Sequence, residues 1–272
     1  MSDILGLDHI CASSDNLKEI SKIDDLLGYK ILFMKNNIPI NEEKNDILCG
    51  NIFSHNALFL TNSKSISIEL IEHHPKTAEN IGQYNVIYES NRFPNSNCIL
   101  VEQDKRAKYL SSIFNEQISK FFDKKTYLSF FFKNSKIDLG LTTIIFETKN
   151  LENSIKFWTK IFNFKISQIP EMPSCKLLEL HSPINSWNAK LLLIENPDAI
   201  MEKTFLNVKG WTCLSFIVKK IDSFLSKIDN SDFSFIGKSY ELNIGGKNLK
   251  LVFLRGSEQQ LIELVEVKQN HG

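Results

Sequence analysis

Three residues stand where strands could hold them ready for chemistry. His9 lies in Gly6-Leu7-Asp8-His9-Ile10, Glu69 in Ser67-Ile68-Glu69-Leu70-Ile71-Glu72, and Glu263 in Ile262-Glu263-Leu264-Val265-Glu266. Strand alternation puts Ile66, Ile68 and Leu70 on one face and Ser67, Glu69 and Ile71 on the other. Glu263 shares its face with Leu261 and Val265, and His9 shares its face with Leu7 and Cys11. A carboxylate on such a face is costly to bury unless it is paired or bound to a cation. Neutral imidazole with carboxylates suits a divalent ion such as zinc, nickel, manganese or iron(II). The plainer alternative stays open: a strand histidine is more often a hydrogen-bonded structural residue, and a glutamate near a strand end is more often solvated.

The elements that carry these residues repeat along the chain. After Gly6-Leu7-Asp8-His9-Ile10, a helical pattern opens at Asp15-Asn16 with Leu17, Ile20 and Leu27 on one face and Gly28 as its left-handed end. Gly140-Leu141-Thr142-Thr143-Ile144 starts the same plan again. Asn150 opens a helix with Ile155, Trp158 and Phe162 on one face, and Asn163 stands where Gly28 stood. The offset from Gly6 to Gly140 nearly equals that from Gly28 to Asn163, which marks an internal repeat. Trp211 to Phe216 starts another copy, with a helix carrying Ile221, Phe224, Leu225 and Ile228, followed by strands and a turn at Gly245-Gly246. A fourth, eroded copy spans residues 84–135, with a helix expected at Asp104 to Phe114 and a strand at Tyr127 to Phe132. The expected fold is α+β: four βαβββ modules paired into two half-barrel cups, with domains at 1–136 and 137–272. A cup of this kind is a natural site for a small ligand.

Composition limits the partners. The 272 residues carry 32 Lys+Arg and 32 Asp+Glu, a formal net charge of zero, which argues against nucleic acid or an anionic membrane as partner. The 42% apolar content supplies packed cores. No run approaches the ~20 apolar residues of a membrane span, and the start of the chain shows no basic, apolar leader. Cys11, Cys49, Cys98, Cys175 and Cys213 are scattered and odd in number, as expected of reduced thiols in a cytoplasmic monomer or homodimer.

The Gly-Leu-Asp-His-Ile start, the Asn150 to Lys165 stretch and the terminal Ile-Glu-Leu strands resemble the vicinal oxygen chelate superfamily of glyoxalases, bleomycin-resistance proteins and extradiol dioxygenases. The resemblance implies metal ligands at two places in a module, a histidine in the first strand and a carboxylate in the last. His9 and Glu69 fill both in module one. In module four Glu263 matches Glu69, and counting from Gly210 as His9 counts from Gly6 puts Cys213 in the histidine position. Module three has Thr143 and Leu192 at the two positions; module two has no first-strand histidine, and Ser129 or a neighbour at the last strand. Pairing of modules one and four would bring His9, Glu69, Cys213 and Glu263 together. Pairing in sequence order would leave only His9 with Glu69.

The resemblance implies two functions. One is a metal-dependent isomerase or lyase acting on a small oxygenated metabolite, the ion stabilising an enolate-like intermediate while Glu69 or Glu263 moves a proton. The alternative is a metal-free small-molecule binder of the drug-sequestering, bleomycin-resistance type. Extradiol dioxygenase activity is not expected, given Thr143 and Cys213. Other histidines read more simply. His55 is taken as a turn residue, with a general base in the cup as the alternative; His73-His74-Pro75 reads as a solvated exit loop, and His181 as exposed. Trp158 and the phenylalanines of 121–132 read as core.

Overall fold

The computed structural model describes residues 3–14, 17, 29–75, 78–91, 94, 98–123, 128–167, 173–199, 201–244 and 246–268. Module one supplies β1 (Ile4–Ser13), β2 (Lys30–Pro39), β3 (Ser54–Thr61) and β4 (Ser67–His74), followed by the short β5 (Ala78–Ile81). The helix expected from Asp15 to Gly28 lies outside the described residues, apart from Leu17, which is helical and fully buried. Module two comprises β6 (Tyr84–Ser90), β7 (Cys98–Val101), α1 (Lys105–Phe114), β8 (Ile118–Asp123) and β9 (Leu128–Asn134). Module three comprises β10 (Gly140–Thr148), α2 (Leu151–Phe162), β11 (Lys165–Ile166), β12 (Cys175–His181) and β13 (Asn188–Glu195). Module four comprises β14 (Val208–Val218), α3 (Ile221–Leu225), β15 (Phe233–Ile236), β16 (Tyr240–Ile244), β17 (Lys247–Gly256) and β18 (Leu261–Val267).

Each module closes the same way. Its first strand runs parallel to its last, as in β1 with β4, β6 with β9, β10 with β13 and β14 with β18. A parallel pair needs a long crossover, which the intervening elements provide. The modules then join through their first strands, antiparallel: β1 with β14 and β6 with β10. Modules one and four therefore form one cup and modules two and three the other. The sequence halves 1–136 and 137–272 each give one module to each cup.

The largest core lies on the convex sides of the sheets. Helix α2 begins at Asn150, whose side chain accepts a hydrogen bond from the Asn153 amide, and ends at left-handed Asn163. Its apolar face seats Phe157, Trp158, Ile161 and Phe162 against Phe146, Phe216 and Phe224. Gly140 at the start of β10 and Gly210 two residues into β14 have φ of 92° and 95°, a region that disfavours side chains. Gly246, at φ 77°, turns the chain between β16 and β17, while Gly245 lies outside the described residues.

Module two departs from its siblings. Only residues 91–97 separate β6 from β7, and its helix follows β7. Ala107, Leu110 and Ile113 of α1 pack on Ile87, Phe131, Ile145, Cys175, Leu177 and Leu192. Register equates Ile145 with Cys11 and Leu192 with Glu69, so this cluster occupies the place in cup two that Cys11 and Glu69 occupy in cup one. The helix packs into its own cup and leaves beside it a cavity of about 360 Å³ lined by Asn85, Arg106, Tyr109, Glu147 and Asn196. None of the described helices is long and apolar enough to cross a membrane.

Candidate metal centre

A bulge in β1 builds the first part of the site. Register steps from Leu7 opposite Phe216 directly to His9 opposite Ser215, leaving Asp8 as the extra residue. Bulges re-aim the side chains around them. Here Leu7 turns into the convex core beside Ile10, while Asp8 and His9 both face cup one. The simple alternation that grouped Leu7 with His9 and Cys11 fails at this point. Asp8 Oδ2 lies 2.8 Å from His9 Nδ1, so a proton on Nδ1 leaves Nε2 aimed into the cup.

The seam between the modules then brings the carboxylates in. His9 faces Ser215 and Cys11 faces Cys213 across β1 and β14. Cys11 is level with Glu69, and Ser215 with Glu263, in the parallel pairs. That exchange has the pattern of a two-fold axis relating His9 to Cys213 and Cys11 to Ser215. His9 Nε2 comes to lie 3.4 Å from Glu69 Oε2 and 3.6 Å from Glu263 Oε2. The Cys11 thiol donates to Glu69 Oε2 at 3.2 Å, and the Ser215 hydroxyl donates to Glu263 Oε2 at 2.8 Å. His9 is only 6% exposed, and its Nε2 makes no hydrogen bond. Donor atoms of His9, Cys11 and Glu263 all lie within 4.8 Å of one another.

Sequence counting singled out His9, Glu69, Glu263 and Cys213. The first three converge. Cys213 is fully buried behind them, with its Sγ 3.7 Å from the Leu214 carbonyl oxygen and its thiol against that of Cys11. Cys11 joins the donors instead; its spacing of two from His9 was the available signal. Asp8, Lys44 and Tyr240 also line the cup and carried no such mark.

The electrostatics separate the two carboxylates. Burial alone would raise the Glu69 pKa, but the His9 imidazole beside it, with help from Lys44 and Cys11, brings it down to about 2. Burial dominates at Glu263 and holds its pKa up. At His9 burial is outweighed by Cys11, by the Asp8 hydrogen bond and by the nearby Glu69 carboxylate, which hold the imidazole well above its usual value. Cys11 is pushed up by Cys213 and by burial.

Two other histidines differ from their simplest reading. His55 is no turn residue: it sits in β3, lines the cup and is 5% exposed, and burial lowers its pKa to about 4. His73 is no solvated loop residue: it lies in β4 opposite His55, is buried, and its Nδ1 meets Ser13 Oγ at 3.3 Å. Burial, with His55 and Lys44, takes it to about 3. Both follow from β4 running on through His74, which keeps His73 in phase with Glu69 and Ile71. His181 is exposed at the end of β12. Above the donors the cup opens as a cavity of about 350 Å³ walled by Phe33, Phe59, Leu242, Leu249 and Val265.

Among the described residues, cup two has no histidine or carboxylate at the matching positions. Asn85 and Thr143 occupy the positions of His9, and Phe131 and Leu192 those of Glu69.

No family model and no curated protein sequence matches the chain. Solved structures do. Glyoxalase I from Zea mays aligns over 96% of this chain and 92% of its own, at 14% identity and a TM-score of 0.62. Its V278E mutant aligns over the same shares with a TM-score of 0.63. A candidate dioxygenase from Bacillus subtilis subsp. subtilis str. 168 covers 99% of this chain and 87% of its own, at 9% identity and a TM-score of 0.62. With paired βαβββ modules, first-strand seams and these neighbours, the chain has the fold of the vicinal oxygen chelate superfamily.

Proposed function

We propose that cup one is a metal-dependent isomerase or lyase site for a small oxygenated metabolite, with His9, Glu69, Glu263 and Cys11 as donors to one divalent ion. The observation that carries this reading is His9 Nε2, a buried nitrogen without a hydrogen bond between carboxylates from two modules. Donors that would share one ion at bonds of ~2.0–2.3 Å stand roughly 3–4 Å apart. The spacings of 3.4 and 3.6 Å from His9, and 3.2 Å from Cys11 to Glu69, match that demand. Asp8 on Nδ1 is the partner a ligating imidazole needs to hold its tautomer and orientation. The thiol beside oxygen and nitrogen donors favours zinc among the candidate ions.

When bound, the ion supplies Lewis acidity that stabilises an enolate-like charge on substrate oxygens. The protein's own part is proton transfer and positioning. Glu69, held near a pKa of 2 by His9, stays ionised, whereas Glu263 is shifted upward by burial. Carboxylates driven apart in this way take different roles, so Glu263 moves the proton and Ser215 steadies it. Phe33 and Phe59 wall the reacting group from water.

A second reading has one observation behind it. A protonated His9 would satisfy Glu69 and Glu263 as a buried ion pair, giving a metal-free binding protein. Elemental analysis of protein purified without a histidine tag separates the two. The expected result is one ion per chain, lost in His9→Ala and in Glu69→Gln. A chain that carries no ion and takes up none of added zinc, nickel or manganese overturns the metal reading.

A further inference from the structure

Lys44 brings a charge into cup one that no side chain answers at contact. It lies in a 3₁₀ turn, Glu42–Ile47, between β2 and β3, and is only 9% exposed. Its Nζ stands 5.8 Å from the ring centroid of Tyr240 and 5.9 Å from that of Phe253. Among the described residues no carboxylate comes within ion-pair distance of it. Aromatic faces give a cation some support, but they do not replace an anion or an acceptor.

Two buried polar atoms on the same wall are also unpartnered: His55 Nδ1 and the Tyr240 hydroxyl. Burial lowers the His55 pKa to about 4 and raises that of Tyr240, so both are neutral hydrogen-bonding groups near pH 7. Buried polar groups in folded proteins almost always have partners. Glu69 and Glu263 are the nearest candidates by charge, yet their oxygens are turned to His9, Cys11 and Ser215. An ammonium beside a phenol hydroxyl and an imidazole that can carry its proton on Nδ1, none with an acceptor, is a site for an oxyanion.

We propose that Lys44, with Tyr240 and His55 beside it, binds an oxyanionic group of the substrate, and so selects acidic metabolites with a short apolar body. The body lies against Phe33, Leu242 and Leu249 in the cavity of about 350 Å³, a size that admits a small metabolite. The inference rests on the metal reading only for what happens at the other end of the ligand.

Phenylacetate and phenyl phosphate test it, with 2-phenylethanol as the uncharged control, by calorimetric titration into the zinc-treated full chain. The two acids distinguish a carboxylate from a phosphate monoester as the preferred source of the oxyanion. At least one acid is expected to bind and the alcohol to bind more weakly. Lys44→Gln should weaken the acid at least about tenfold, and Lys44→Arg, which keeps the charge, should recover most of it. Zinc affinity, titrated alone, should not fall in Lys44→Gln. Equal acid binding by wild type and Lys44→Gln overturns the proposal, as does binding of neither acid. Zinc affinity falling together with acid affinity would make Lys44 a support of the donor cluster and overturns it too. If zinc, nickel and manganese all fail to bind, the metal reading fails by itself. The same titration of the metal-free chain then decides the inference by whether acid binding depends on Lys44.

Discussion

Asp8 and His9 are adjacent in sequence and face the same side of β1, which a regular strand forbids and the bulge between Leu7 and His9 permits. The 2.8 Å contact of Asp8 Oδ2 with His9 Nδ1 sets which ring nitrogen is free. Asp8→Asn keeps the size of the side chain and removes its charge. Metal affinity should drop about 10- to 100-fold, as losses of such orienting partners do. The fold should be unchanged by circular dichroism. Unaltered zinc affinity in a competition titration would show that Asp8 does not orient the ligand.

Cys11 and Cys213 make opposite predictions although they face each other across the seam. Cys11 points its thiol at Glu69, whereas Cys213 lies behind it against the Leu214 carbonyl. Cys11→Ser should lower zinc affinity at least about tenfold and shift preference toward manganese, because a hydroxyl is a harder and weaker donor than a thiolate. Cys213→Ser should leave the affinity within about threefold and cost only stability, roughly 1–3 kcal/mol for a buried hydroxyl. Parallel metal titrations check both. A larger loss in Cys213→Ser would return the fourth position to Cys213.

The repeat made His9, Glu69 and Glu263 legible, because strand register is periodic and each holds a matching place in its module. It also made the cups legible, since every module leaves one sheet face to cover. The bulge at Asp8 was not, because one extra residue leaves no trace in composition yet reverses the face of Leu7. Lys44 and Tyr240 were invisible for a different reason. They come from a turn of module one and a strand of module four, and meet only through the seam. Helix α1 was read correctly as a helix, but its seat inside cup two depends on its place after β7, which periodicity does not record.

Acid should unfold the metal-free chain from an unusually high pH. His55 and His73 have folded pKa values of about 4 and about 3 against an ordinary 6.5, through burial first and then neighbouring positive groups. The folded state binds these protons more weakly than the unfolded chain. Their contribution is therefore complete above pH 6.5 and is lost as pH falls toward 4 and 3. The loss is on the order of 3 kcal/mol per histidine. Glu69, at about 2 against 4.5, adds to it only below pH 4.5. Glu263, whose pKa is raised, works in the opposite direction. Urea midpoints measured with chelator from pH 7 to 4 should decline, and His73→Gln should flatten the decline. An unchanged slope in that variant would remove His73 as a cause.

Truncating Leu110 should be costly, because the side chain is buried in the apolar cluster between α1 and the sheet of cup two. Leu110 is 1% exposed and inserts from α1 among Phe131, Ile145 and Leu192. Leu110→Ala removes that packing from a site that cannot collapse freely, and should cost about 2–5 kcal/mol. Leu110→Asp should cost more, since its carboxylate would have no partner there. Neither change touches the donors of cup one, so zinc affinity of the folded Leu110→Ala protein should match that of the parent. Urea unfolding gives the first quantity and metal titration the second. A stability change below about 1 kcal/mol would mean that Leu110 does not hold α1 to the sheet of cup two.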